Sequence, residues 1–418
     1  MPSKKYQRTG LVFSCGVVYC DKLHHIYICI IILYGDFMKK DLIAFLGNVV
    51  SLICVGILVV NLAPKFVNQI GIFNSSVVTV FSPLVIKQEF TDFSTDKDEK
   101  PENNTNTISK ESRDSGISGK DSDLYSKITE TPDDIAKLMS EAEKTIKSEK
   151  VKGKTSEEDY FGGGKLVSFG KVEIQSKIPE SFYKLNIEEL LKQKAELNIQ
   201  DISEPTILVY HTHTTESYTL LDVGYYTESL SSRIDDNSRN MVRVGDELCK
   251  YLEEMGFGVI HDTEIHDEKY TGAYSHSRKS VEKYLEEYPS IEITIDLHRD
   301  DITYDDGTMV KPTATVNDKK AARMMIIAGA EYGSVENYPD WEYNLRFALA
   351  VQNKVASMYD GLMRPILFSE RKYNMDETRN SFLLEVGTTA NTLDEACYSA
   401  RLFATALGEL LKEEYTNK

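Results

Sequence analysis

The chain has 418 residues, 41% hydrophobic and 10% aromatic, which is enough for more than one domain and a sizeable core. Its formal net charge of −18 argues against nucleic acid as a partner, because phosphate binding needs a basic face. The six cysteines include no CxxC spacing, so neither a zinc ribbon nor a redox pair is indicated.

The first apolar stretch, residues 11–34, is interrupted by Asp21, Lys22, His24 and His25. The next, LIAFLGNVVSLICVGILVV at residues 42–60, carries no charge and matches the roughly 20 apolar residues that a bilayer core requires. Residues 38–62 are therefore expected to form an uncleaved transmembrane anchor. By the positive-inside rule Lys39 and Lys40 stay cytoplasmic and the rest of the chain is extracytoplasmic. MKKDLIAF reads as a natural start of translation, which makes residues 1–37 a spurious extension or an extra apolar segment.

Residues 63–160 are rich in Ser, Asp and Lys and poor in aromatics, the composition of a flexible, disordered linker. Within them DDIAKLMSEAEKTIKSE reads as a lone helix. Residues 161–204 form an extension in which NIEELLKQKAELNI is an amphipathic helix packing on the edge of the following domain.

From residue 205 to 418 short β-branched runs alternate with helical patterns. The strands are TILVY, FGVIHDT, IEITIDLHRD, AARMMIIAG, RPILFSERKY and SFLLEVG. The pattern predicts an α/β domain, a largely parallel sheet of about six strands with helices on both faces.

Open α/β sheets bind ligands beyond the carboxyl ends of their strands. Two of only eight histidines, His211 and His213, close the first strand, His298 closes IEITIDLHRD, and Glu385 stands near the end of the last. Catalytic zinc takes three protein ligands, typically imidazoles with a carboxylate, and leaves a position open for water. Two histidines and an acid would supply that set, with Glu385 free as the base. Asp235, Asp236 and Glu216 are the candidate acids. His211 is also read as a group orienting the ligands, Glu216 as a substrate contact, and Arg299 as a grip on a substrate carboxylate or an ion pair with its neighbours. His266 and His276 are expected to be solvated and His261 structural.

The stretches LVYHTHTTESY, NMVRVGDELCKYLEEMGFGVIHD, YPSIEITIDLHRD and LLEVGTTANTLDEA resemble the stage II sporulation protein P family of membrane-anchored peptidoglycan hydrolases, which act in engulfment during sporulation. That family is related to zinc-dependent N-acetylmuramoyl-L-alanine amidases. The resemblance implies Zn2+ held by His213, Asp236 and His298, with Glu385 as catalyst. It also implies cleavage of stem-peptide cross-links besides the sugar–peptide amide, and complexes with stage II sporulation proteins D and M. The location implied is the cell membrane, with the catalytic domain between the forespore and mother-cell membranes. Two rival readings are a zinc peptidase acting on stem peptides alone and an inactive peptidoglycan-binding scaffold.

Overall fold

Parallel neighbours in a sheet need a crossover of a dozen or more residues, usually a helix; without one the chain turns back antiparallel. That rule explains the topology of this protein. The structure, a computed structural model, describes residues 126–159 and 163–416, all within the unit Lys110–Lys418. The expected extension 1–37, the anchor 38–62 and the linker up to residue 125 lie outside the described residues. Among the described residues no helix is long and apolar enough to cross a membrane.

The first elements are helix α1 (Asp133–Thr145) and strand β1 (Val151–Glu157). Both fall within the stretch expected as flexible linker, and both are folded onto the domain. Ile135 is fully buried, Leu138 and Met139 pack beside it, and Arg243 grips Asp134 through Nε (2.7 Å) and Nη2 (3.1 Å). Three apolar side chains on one helical face suffice to dock a segment whose composition is otherwise polar.

A hairpin follows, β2 (Lys165–Phe169) and β3 (Val172–Ser176), then the short α2 (Ile187–Lys192), capped by Asn186. Next come β4 (Pro205–Tyr210), β5 (Tyr225–Thr227), α3 (Met241–Glu254), β6 (Gly258–His261), α4 (Ala273–Glu287) and β7 (Ile293–Asp300). Helical crossovers make β4 parallel to both β6 and β7. Beyond β7 the chain passes through β8 (Met309–Lys311), β9 (Thr313–Val316) and β10 (Lys319–Ala322) into β11 (Met324–Gly329) with no helix between. Helix α5 (Trp341–Met358) then returns it to β12 (Ile366–Ser369), parallel to β11. No helix separates β12 from β13 (Ser381–Thr388), and α6 (Leu393–Glu414) closes the domain.

The main sheet has eight strands in the order β2-β3-β12-β11-β13-β7-β4-β6. It is mixed, because β11 runs antiparallel to β13 and β2 antiparallel to β3. The expectation of a largely parallel sheet of about six strands is corrected on both counts. The extra strands, β2 and β3, come from the 161–204 extension, and the helix-free connections β7→β11 and β12→β13 reverse the chain direction.

One sheet face packs against α3, α5 and α6 in the main core, which includes Ile207, Val209, Ile295, Leu297, Leu384 and Val386. On the other face α4 covers Leu208 and Tyr210 through Val281. A separate three-stranded sheet sews β1 between β5, antiparallel, and β8, parallel.

Candidate active site

Strand alternation decides what the second face carries. In β7 the side chains of Ile293, Ile295 and Leu297 enter the main core, so Thr294, Asp296 and His298 point the other way. In β13 Phe382, Leu384 and Val386 are core, which turns Leu383 and Glu385 to the same polar face. Glu385 stands in register with His298 on the adjacent parallel strand.

His298 is 3% exposed and lies between two carboxylates. Its Nε2 is 2.8 Å from Asp296 Oδ1, out of line for a hydrogen bond, and its Nδ1 is 3.7 Å from Glu216 Oε2. Burial works against its charged form, but the carboxylates of Asp296, Glu216 and Glu385 outweigh it and hold the imidazole up at about 9. Asp296 is fixed in turn by the Thr212 amide (2.9 Å) and the Thr212 hydroxyl (2.7 Å).

His213 sits in the turn after β4. Its ring stacks on Tyr270 (4.8 Å between centroids, 3° between planes) and meets His298 edge-on (5.3 Å, 84°). Burial and the neighbouring His298 push it down to about 4, so it is a neutral imidazole near pH 7, the form that binds metals. Its Nδ1 is buried without a hydrogen-bond partner, 3.9 Å from Asp267 Oδ2. Glu216, in the same turn, is buried and accepts from the Arg299 amide (3.3 Å) and Arg233 Nη2 (3.3 Å).

Glu385 has a buried Oε2 with no hydrogen-bond partner. Burial, then the nearby Asp300 charge, pushes its carboxyl up to about 8, within range of a group that takes and returns a proton near neutrality. The glycine of the EVG stretch is required here: Gly387 has φ 64°, and a Cβ on it would stand 2.6 Å from Asn391 Oδ1 and 2.7 Å from Ala322 Cβ. Thr392 and Glu395 then form a capping box that starts α6.

Of the residues singled out from sequence, the structure brings His213, Glu216, His298 and Glu385 together. His211 lies elsewhere: its Nδ1 meets Leu297 O at 3.1 Å and its Nε2 meets His261 Nε2 at 2.9 Å. Burial and His261 drive it well below the ordinary histidine value. Gly245 makes room for this pair, since a Cβ there would stand 2.5 Å from His261 Nε2 and 2.8 Å from His211 Nε2.

Asp235 and Asp236 are exposed, and Asp236 accepts from the Ser238 amide (3.0 Å) and hydroxyl (2.7 Å). Arg299 is buried, its guanidinium given to the carbonyls of Ser217 (2.7 Å), Ser232 (2.7 Å) and Asp300 (3.3 Å). His266, expected to be solvated, is buried with its Nε2 2.9 Å from Asp262 Oδ2. His276 is exposed.

Sequence reasoning missed Asp296, Asp267 and Arg233. Asp296 was findable: it precedes His298 by two in a strand, which places both on one face. Asp267 accepts from the Thr215 amide and hydroxyl and from Arg233, contacts between separate loops that no local pattern announces.

Among the described residues no three His, Cys, Asp or Glu side chains close into a ready metal cage. His213, His298 and Glu216 are nevertheless of the donor types that zinc takes. Donors around a zinc ion at about 2.0–2.1 Å stand about 3.4 Å apart, against 3.7 Å between His298 Nδ1 and Glu216 Oε2. The His213 Nδ1, without a hydrogen-bond partner, stands 3.9 Å from Asp267 Oδ2.

The class is thus a mixed α/β domain with a buried His–Glu cluster on one sheet face. Residues 84–408 match the family model for stage II sporulation protein P, and the chain belongs to that family, as the quoted motifs led one to expect. It is 27% identical over 256 residues to the stage II sporulation protein P of Bacillus subtilis, a match covering 56% of this chain and 60% of that protein. Among solved structures it is similar to the N-acetylmuramoyl-L-alanine amidase AmiC2 of Nostoc punctiforme, with 11% identity, TM-score 0.30, and coverage of 50% of this chain and 96% of that one. The N-acetylmuramoyl-L-alanine amidase of Clostridium difficile 630 matches with 11% identity, TM-score 0.29, and coverage of 51% and 99%.

Proposed function

We propose that the chain is a zinc-dependent N-acetylmuramoyl-L-alanine amidase that hydrolyses peptidoglycan during sporulation. One observation carries this reading: His213, Glu216 and His298 converge beside Glu385, and His213 and Glu385 each leave a buried polar atom without a partner. His213, His298 and Glu216 are the metal ligands in this reading, with Glu216 rather than the exposed Asp236 as the acid. When bound, zinc supplies a Lewis acid that polarises the amide carbonyl and acidifies a water. Asp296, 2.8 Å from the His298 nitrogen that faces away from Glu216, supports the imidazole through its charge. Glu385 accepts the proton of the attacking water and delivers it to the leaving amine.

Membership of the sporulation family supports the cellular role. In this reading residues 38–62 anchor the chain in the membrane, the domain works on the extracytoplasmic side, and stage II sporulation proteins D and M are its partners.

The test is a digest of purified peptidoglycan by residues 126–418, with products identified by mass spectrometry. It is run with zinc, with chelator, and with Glu385→Ala. Stem peptides with free L-alanine amino termini, formed only with metal and Glu385, are expected. Cleavage of cross-links alone would replace the amidase with a peptidase, and wall digestion by Glu385→Ala at the normal rate would sink the mechanism.

A further inference from the structure

Three segments meet around His213: the turn that carries it, residues 212–217, the stretch 231–234, and the loop between β6 and α4. Backbone pairing joins the first two. Glu216 and Arg233 form an isolated antiparallel bridge, the Ser217 amide donates to Ser232 O (3.1 Å), and the Ile234 amide donates to Thr215 O (2.7 Å). The loop is joined to the turn by side chains instead. Thr214 Oγ1 donates to Glu264 O (2.8 Å), and Asp267 accepts from the Thr215 amide (3.1 Å) and hydroxyl (2.7 Å).

One side chain ties all three. The Arg233 guanidinium donates through Nη1 to Asp267 and through Nη2 to Glu216 Oε1 (3.3 Å), and its central carbon lies 5.1 Å from the Tyr270 ring centroid. An exposed ion pair contributes little, but the side chains of Asp267 and Glu216 are only 0% and 9% exposed. Each partner bears on a candidate site residue. Asp267 Oδ2 stands 3.9 Å from His213 Nδ1, and Tyr270 stacks on the His213 ring. With Oε1 of Glu216 engaged by Arg233, Oε2 is the oxygen turned to the Arg299 amide (3.3 Å) and to His298 Nδ1 (3.7 Å).

We propose that Arg233 is a positioning residue of the hydrolase: its guanidinium sets the Glu216 carboxylate directly and the His213 ring through Asp267 and Tyr270. It touches none of the reacting atoms. The proposal rests on the hydrolase reading and deepens it, by naming what fixes two of the residues in that reading. The residue type follows from the geometry. A planar guanidinium reaches two carboxylates from one fork and stacks on a ring, which the point charge of an ammonium does not. Without it Asp267 would keep its two bonds from Thr215, Glu216 would keep one from the Arg299 amide, and Tyr270 would lose the cation over its ring.

The test uses the full chain in detergent. In the metal-free protein, hydrogen exchange read by mass spectrometry should quicken in Arg233→Ala over residues 211–218 and 264–271 and stay unchanged over β7 and β13. On soluble peptidoglycan fragments the same variant should lose about 10²-fold in kcat, the scale of misplacing reacting groups by about 1 Å, with KM unchanged. Methylguanidinium should restore part of that loss and methylammonium should not. Arg233→Lys, which keeps the charge, should remain close to Arg233→Ala. Exchange that quickens across the whole domain, a loss that methylguanidinium does not restore, or wild-type kcat in Arg233→Lys would overturn the proposal. Exchange is read without turnover, so the two readings fail separately. If wild type digests nothing while the two segments loosen in Arg233→Ala, the hydrolase reading falls. If wild type digests wall and Arg233→Ala does so at the same rate, only this proposal falls.

Discussion

The two faces of the central sheet are built from the same strands and do opposite work. On one, Ile295, Leu297, Leu384 and Val386 join α3, α5 and α6 in a continuous apolar core. On the other, the residues alternating with them, Asp296, His298 and Glu385, are buried yet polar, and two of them have side-chain atoms out of hydrogen-bond geometry. Burying a polar group without a partner costs free energy, so the first face stabilises the fold against what the second spends. The packed core and the candidate site are thus separated by a step of one residue along β7 and β13.

That separation can be broken most sharply at neighbouring positions of β13. Glu385→Gln should lower the rate of wall digestion by about 10²–10⁴, the contribution of a general base, while leaving the thermal midpoint unchanged or higher. Leu384→Ala, one residue away and fully buried, should cost about 2–5 kcal/mol of stability. Urea unfolding would read that loss, and digestion at low temperature should survive. If both variants lost stability equally, the two faces would not be separable.

If the site holds zinc as proposed, Asp296→Asn should weaken its affinity by about 10–100-fold, measured by competition with a chromophoric chelator, because it removes the charge beside His298 Nε2. The smallest effect belongs to the docked N-terminal segment. Asp134→Ala removes the ion pair with Arg243, whose Asp134 side chain is 52% exposed, so the loss should stay below about 1 kcal/mol and appear as faster proteolysis between α1 and β1. The hydrogen bond from Arg243 holds the Asp134 carboxyl below its ordinary value. The contact therefore contributes fully above the ordinary carboxylate range, about pH 4, and its contribution fades as pH falls through the lowered folded value. Proteolysis of wild type that accelerates in that acid window and not in Asp134→Ala would confirm the sign.

Much of the candidate site's placement was legible because it follows from strand periodicity. His298 and Glu385 are fixed by their places in ITIDLH and FLLEV, and apolar runs of that kind locate strands well. Glu216 and Asp236 were not separable in the same way. Asp236 precedes α3 in sequence, but Asn240 caps that helix through Val242 N, and the intervening loop runs outward. Glu216 is turned inward by Arg233, 17 residues away, a contact between loops. The direction of β11 was equally hidden, because an apolar run carries no record of which way the chain crosses the sheet. The docking of α1 depends on Arg243, 109 residues distant from Asp134.

The three-stranded seam has a mechanical side. Whatever pulls on the chain from before residue 126 reaches the domain through α1 and then β1, which lies between β5 and β8. Force directed along β1 loads its two ladders in shear, so their hydrogen bonds resist together instead of opening one at a time. β5 follows the turn that holds His213 and Glu216, and β8 follows the strand that holds His298. A pull on α1 is therefore borne by the two strands that follow the segments carrying the candidate site residues.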